Sequence, residues 1–371
     1  MARALLLMEA MDSERRVQTA RLRRNLREQV RGLDISADEF RAHYRVTKEL
    51  FLQLCDELSP YFPRSRRRSA ITEESKVLTA LSVLATGSYQ KPIGMGYLHG
   101  LSQPSVSKAL MEVVNAFNHP DILKKHIYFP QTPQERRAII NGFSNKFEFP
   151  GCLGCIDCTH VALVRPNENE ERFFNRKHYH SRNVQIICDS DLNILDIDAS
   201  FGGATHDAHI WKNSHAYRHL RELASHGERF WLLGDSGYPL RPWLLTPIIN
   251  AEPGTAEEHY TNMHCLTRNT VERCIGVLKA RWRCLLVHRV LHYDHHMVAK
   301  MINACAVLHT ICNRHNVPFS ELPMEAIHEE LNLQIPLQAQ VMVGTGAQGS
   351  ALLERGRQQR TNIVQRLRSA S

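Results

Sequence analysis

Gly154-Cys155-Ile156-Asp157-Cys158-Thr159-His160 is the stretch on which the reading of this chain turns. The apolar run Cys152 to Ile156 has the length of a buried strand and ends in a carboxylate, and a second run, Val161 to Val164, follows it. Val184 to Cys188, Ile194 to Ile197 and Phe230 to Leu233 share that texture, each bounded by Asp, Asn or Gly turn signals. Helical periodicity appears near 207–225, 270–281 and 296–313. Strands in succession, a helix, another strand and then further helices predict an α/β domain built on a mixed sheet flanked by helices.

Asp235 repeats the placing of Asp157. It follows the Phe230 to Leu233 run in Gly234-Asp235-Ser236-Gly237-Tyr238-Pro239, where small residues let the backbone turn sharply. Strand ends of open sheets are where active sites collect. Glu272 sits in Asn269-Thr270-Val271-Glu272-Arg273-Cys274-Ile275-Gly276-Val277-Leu278-Lys279. Val271, Ile275 and Leu278 form its core stripe, while Glu272, Gly276 and Lys279 share a flank. A carboxylate, a gap and a cation on one flank can approach a metal and a phosphate. Taken singly, an Asp after a strand is a turn residue, and Glu272 can pair with Arg273 or Lys279 in solvent. Taken in order, two strand-end acids and a helical one point to a site for hard divalent cations, Mg2+ or Mn2+, which prefer oxygen ligands. Two such ions about 4 Å apart suit phosphodiester hydrolysis, because they stabilise both the attacking and the leaving oxygen.

Outward from this domain the texture changes. Residues 1–149 read as helical: Leu50, Phe51, Leu54, Cys55 and Leu58 follow the helical period after Thr47, and a basic turn at Arg64, Arg66, Arg67 and Arg68 comes next. Leu101-Ser102-Gln103-Pro104-Ser105-Val106-Ser107 then opens a helix carrying Val106, Ala109, Leu110, Val113, Val114 and Phe117, in the cadence of a helix-turn-helix. Ser105 and Lys108, with Ser102, Gln103 and Ser107, stand where such a motif meets DNA; ordinary bundle packing accounts for the same pattern. After a nuclease-like domain over 150–318, residues 319–371 are expected to form a basic, partly flexible tail bearing Arg355, Arg357, Arg360, Arg366 and Arg368.

Lys and Arg number 46 against 38 Asp and Glu, a formal charge of +8, which favours an anionic partner such as nucleic acid. Ala4 to Met8 is apolar but is soon followed by Glu9 and Asp12, and is shorter than the apolar core of a signal peptide. No stretch reaches the roughly 20 apolar residues that span a bilayer, so no membrane association is expected. The ten cysteines then read as reduced thiols. Cys152, Cys155 and Cys158 recur every three residues, but on a strand such neighbours point to opposite faces, which argues against a zinc site.

The motifs together resemble the DDE endonuclease domain of PIF/Harbinger transposases, and in particular the domesticated Harbinger transposase-derived nucleases of animals. The resemblance runs through Ile156-Asp157-Cys158-Thr159-His160, Arg176-Lys177 with His180-Ser181-Arg182-Asn183-Val184-Gln185, Gly202-Gly203-Ala204-Thr205-His206-Asp207 with Trp211 and Ser214, Gly234-Asp235-Ser236-Gly237-Tyr238-Pro239-Leu240 with Leu245-Thr246-Pro247, and Val271-Glu272-Arg273 with Gly276, Leu278 and Lys279. It covers about 150–315. What it implies is an RNase H-like fold, an endonuclease cutting DNA by a two-metal mechanism, and Asp157, Asp235 and Glu272 as catalytic acids. The separation of Asp235 from Glu272 matches that of the last two acids in many such enzymes. Asp207, in the His-Asp motif at the start of a helix after the third strand, is a fourth metal-facing acid, with His206 or His160 behind the ligands. Cys158 departs from the family, which often has Gly there, and narrows the space beside Asp157. Arg176, Lys177 and Arg182, with Arg165 and Arg172, form a basic loop suited to a phosphate backbone, as does Lys279.

The resemblance also implies a Myb-like DNA-binding partner, a homo-oligomer of the kind transposases commonly form, and a nuclear as well as cytoplasmic protein. Three other readings stay open on the residues alone: a catalytically silent DNA- or chromatin-bound adaptor, a helix-turn-helix regulator, and a zinc hydrolase using His160, His206 and His209.

Overall fold

Cys152–Ala162 is one uninterrupted strand, β1, where the apolar runs predict two. The polar residues between the runs are extended as well, because β1 pairs antiparallel with β2 (Ser181–Cys188) from Cys155↔Cys188 through Asp157↔Ile186 to Ala162↔Ser181. Asp157 therefore lies inside a strand rather than at its end. It still borders open space on one side, since the parallel pairing of β1 with β4 (Trp231–Leu233) stops at Cys155↔Leu233. This computed structural model describes residues 2–29, 32–64, 71–96, 98–319 and 347–370.

The sheet has five strands in the order β3-β2-β1-β4-β5, with β3 at Ile194–Gly202 and β5 at Leu244–Leu245. The first three strands are antiparallel neighbours, whereas β4 and β5 join parallel to β1 and to each other. Parallel strands need a crossover. Here it is α9 (Asp207–Asn213) and α10 (His215–Ser225), whose Trp211, Ala216 and Leu220 pack with Ile156, Ile187 and Leu232. The other face carries α11 (Ala256–Arg281) over β1 and β2, and α12 (His295–Arg314) against β3. Two helices precede the sheet in this unit: α7 (Pro120–His126) and α8 (Pro133–Phe147), the latter opened by a capping box between Thr132 and Glu135 and packed on β1.

Ala347–Ala370 is also a helix, numbered α13 here, and part of the expected tail is thus ordered. Ile363, Val364 and Leu367 are buried, and α13 lies against α11 and β5. Arg360 donates to the carbonyls of Thr246 and Pro247 at 3.4 and 3.2 Å, so this arginine is engaged within the fold.

Contacts divide the chain into Met1–His119 with Trp282–Cys284, and Pro120–Arg281 with Leu285–Ser371. The first unit is helical: α1 (Ala2–Gln29), α2 (Ala37–Tyr44), α3 (Lys48–Leu58), α4 (Glu73–Thr86), α5 (Gln90–Met95) and α6 (Gln103–Phe117). The apolar residues expected on α3 and α6 are all buried. Arg66, Arg67 and Arg68 lie outside the described residues. No described helix is long and apolar enough to cross a membrane.

Arg136 of α8 is 3% exposed and grips Glu228, in the turn before β4, through Nε at 2.8 Å and Nη2 at 2.5 Å, while Nη1 donates to the carbonyl of Gln131 at 2.7 Å. Removing one partner of a buried pair strands the other. Arg136→Ala is expected to destabilise the second unit by about 3 kcal/mol, read from urea unfolding, with Glu228→Gln costing less because that carboxylate is partly in water.

Candidate active site

Each acid reaches the end of the sheet for a local reason. On β1, Cys155 donates its thiol to the Thr267 carbonyl of α11 at 3.3 Å, so Asp157, two residues on, also faces α11. Its Oδ1 accepts the Cys158 amide at 2.8 Å. Asp235 stands just past β4, in a turn that its own carboxylate braces by accepting the Gly237 amide at 3.0 Å. Gly234 before it is obligatory: a Cβ there would meet the Tyr238 ring at 2.9 Å. Glu272 projects from the middle of α11, half-exposed. Asp207 is the first residue of α9, on the opposite side of the sheet, and accepts from Asn183 Nδ2 at 2.7 Å.

The electrostatics show which of these acids feel one another. Burial pushes the Asp157 carboxyl up to about 7; Arg268 opposes the shift, and the charges of Asp235 and Asp207 add to it. Asp207 is raised too, first by burial, against its Asn183 hydrogen bond, and further by Asp235. Asp235 is thus the common neighbour, between an acid of the α11 side and one of the α9 side. Cys158 lies on the Asp207 side, its thiol 3.4 Å from the Tyr238 hydroxyl, and burial raises it far from thiolate chemistry.

Arg268 is the residue that reading the sequence for acids missed. One Nη donates to Asp157 Oδ2 at 3.1 Å and the other to Glu272 Oε1, so a single guanidinium joins the strand acid to the helix acid. Burial works against this cation, yet the charges of Asp157, Glu272 and Asp235 hold it above its ordinary value. The expected partners of Glu272 were Arg273 or Lys279, but Arg268 stands one turn earlier, at the i,i+4 spacing that brings helix side chains together. Lys279 instead donates to the His160 carbonyl at 3.0 Å.

The donor set suits a hard divalent cation, since all four acids offer carboxylate oxygens and the burial and like charge that raise Asp157 and Asp207 are what such a charge relieves. As they stand, no three His, Cys, Asp or Glu side chains among the described residues are spaced to hold a metal ion. Two of the candidate ligands are tied to Arg268 instead. Binding therefore requires that guanidinium to let go.

The histidines of the zinc reading are dispersed: His160 bonds Ser181, His206 accepts from Arg176 at 2.8 Å, and the His209 ring packs edge-on against Phe201. Of the residues expected to contact DNA, Arg182 is 3% exposed, its guanidinium donating to the carbonyls of Ala199, Ser200 and His295. That arginine holds strands together. Arg176 is exposed beside His206, whereas Lys177 and Lys279 lie further along the cleft side of β1 and α11. Ser105 and Lys108 are on α6 in the other unit; the Ser105 hydroxyl is 2.8 Å from the Ser102 hydroxyl that caps the helix, and Lys108 is exposed near Glu112.

Comparison with known proteins gives this geometry its context. The DDE superfamily endonuclease family matches residues 156–310. "Putative nuclease HARBI1" of Bos taurus is 31% identical over 293 residues, covering 78% of this chain and 82% of that protein. The protein of the same name from Homo sapiens is 30% identical over 299 residues, covering 80% and 84%. "Protein ALP1-like" of Arabidopsis thaliana is 24% identical over 292 residues, covering 73% and 70%. No solved structure matches.

The raised Asp157 carboxyl makes stability depend on pH. Its folded value, about 7, lies above the ordinary 3.8. The folded state therefore holds this proton more tightly than the unfolded chain, and stability falls as pH rises from about 4 to about 7. In metal-free protein, Asp157→Asn is expected to raise stability by on the order of 2 kcal/mol at pH 8. The gain should vanish by about pH 4, as read from thermal melts across that range.

Proposed function

The chain belongs to the DDE superfamily endonucleases, among the Harbinger transposase-derived nucleases, and from that premise we propose that it hydrolyses DNA phosphodiester bonds with divalent cations held by Asp157, Asp235 and Glu272. The observation that carries this reading is the convergence of buried acids at one end of a sheet in the order β3-β2-β1-β4-β5, the strand order of an RNase H-like fold. Folding brings like charges together only at a cost, and a site that binds metal has a use for them.

When bound, a pair of Mg2+ or Mn2+ ions supplies stabilisation of the attacking and leaving oxygens. The remaining work falls to the chain itself. Asp157, fixed by the Cys158 amide, and Asp235, fixed by the Gly237 amide, present oxygens with little freedom to move. Glu272 brings a third from α11, the helix packed across β1 and β2. Asp207 supplies a fourth from the other side, with Asn183 setting its angle. Arg268 engages Asp157 and Glu272 together, and on its release it is free to meet a phosphate oxygen.

The family implies a Myb-like DNA-binding partner, a multimeric active form and residence in the nucleus as well as the cytoplasm, and these complete the proposal. A second reading has one observation in its favour: the Arg268 bridge leaves the acids without a ready-made metal cage, as a silent DNA-bound adaptor would permit.

Nicking of supercoiled DNA by the purified full chain in Mg2+ or Mn2+ separates the two. The proposal expects cleavage that Asp157→Ala, Asp235→Ala and Glu272→Ala each reduce by at least about a hundredfold. Bound but uncut DNA in every metal, with or without a Myb-like partner, would establish the adaptor.

A further inference from the structure

Lys177, Lys279 and His160 form a second cluster, away from the acids. Lys279 is 2% exposed, deep between α11 and β1, where its ammonium donates to the His160 carbonyl. Lys177 sits on a tightly built loop. Asn175, itself 3% exposed, accepts the amides of Lys177 and Tyr179 on its Oδ1 at 2.9 and 3.3 Å, and its own amide donates to the Tyr179 carbonyl at 3.0 Å. This loop aims the Lys177 Nζ inward, where it is buried with no hydrogen-bond partner. An ammonium in such a place lacks the partner that an anion would supply.

His160 completes the arrangement. Ser181 Oγ accepts from Asn175 Nδ2 at 2.8 Å and lies 2.9 Å from His160 Nδ1. A hydroxyl that accepts from the amide is free to donate to Nδ1, which leaves Nε2 of a neutral imidazole carrying the proton, as a donor. Burial, followed by the charges of Lys279 and Lys177, holds the ring down to about 4, so it is neutral near pH 7. Each lysine thus acts electrostatically on the ring, and Lys177 is itself lowered by burial and by Lys279. No carboxylate figures among the influences on either Lys177 or His160. Two cations close enough to act on one neutral donor are the complement of a tetrahedral oxyanion.

We propose that Lys177, Lys279 and His160 are a preformed pocket for one phosphoryl group, and that its occupant is a phosphate of the DNA strand neighbouring the one that is cut. The second half rests on the nuclease reading above; the first does not. Position supports it. Lys279 lies two helical turns beyond Glu272, roughly 10 Å along α11. His160 lies three residues beyond Asp157, also roughly 10 Å along β1. Between Glu272 and Lys279 the helix presents the exposed Gly276, where even an added Cβ would meet nothing within 4 Å, so no side chain at that position stands between the acids and the lysine. A strand with its scissile phosphate at the acids can therefore lay a neighbouring phosphate against Lys177.

The test uses the full chain in EDTA, so that metal plays no part, with two probes: inorganic phosphate and a fluorescein-labelled single-stranded oligonucleotide. Phosphate is expected to raise the melting temperature of the parent, and the oligonucleotide to bind with a salt-dependent anisotropy signal. Lys177→Gln, on a surface loop, should abolish the phosphate response. It should also weaken oligonucleotide binding about tenfold and lower the slope of log K against log salt by about 1. Lys177→Arg should restore both, and Lys146→Gln, which removes a charge elsewhere in the same unit, should leave both unchanged. An unaltered phosphate response and salt slope in folded Lys177→Gln would overturn the pocket. A phosphate response that Lys177→Gln removes, in a parent that binds no oligonucleotide, would keep the pocket and overturn the DNA strand as its occupant.

Discussion

One guanidinium compensates the charge crowding on which the whole site depends. Asp157 is buried in the sheet with Asp235 and Asp207 acting on it, and Arg268 is the opposing charge that shares both that strand and the helix of Glu272. This fixes much else. α11 has to run across β1 at the height of Asp157, where Cys155 tucks under Thr267, while on the other face Gly154 gives up its side chain: a Cβ there would lie 3.1 Å from both Ile187 and Leu232, which pack with α9 and α10. The site is thereby stable as it stands, with the repulsion of its acids damped by the cation that two of them share.

Much of this was legible in the residues. Short apolar runs bounded by turn signals pointed to β2, β3 and β4, helical periodicity to the helices between and after them, and the strand-to-Gly-Asp pattern to the turn at Asp235. β1 was read as two strands because hydrophobicity identifies a strand only where its side chains are buried in apolar surroundings. Asp157, Cys158 and His160 are extended but chemically committed, so the site itself erased the signal. Arg268 was overlooked for a related reason: an arginine one turn before a glutamate looks like an ordinary helix pair, and only the fold brings Asp157 to its other side. Arg182 erred the other way. Its place in a basic loop suggested solvent and phosphate, whereas three carbonyls from β3 and α12 surround it.

The cysteines illustrate how composition is constrained by such a core. All ten are free, and eight are buried, several of them between β1, β2 and α11. Among these, Cys274 is drawn down to about 6 by its hydrogen bond to Cys188 against the effect of burial, with His309 assisting. The other buried thiols fill space as small apolar groups, and Cys158 does so beside Tyr238 at the site itself.

Helix α13 carries a consequence for the order in which the protein is made. Its Ile363, Val364 and Leu367 cover α11 and β5, and at Gly356 an added Cβ would lie 3.1 Å from the Arg241 backbone, yet it is synthesised well after everything it covers. At cellular translation speeds the helix bearing Glu272 waits on the order of ten seconds, with an apolar flank uncovered, before its last neighbour exists. A nascent chain thus holds the acidic site unfinished until synthesis has passed it by, and any message truncated ahead of codon 347 would yield a nuclease-like domain lacking the prop beneath the helix of Arg268 and Glu272.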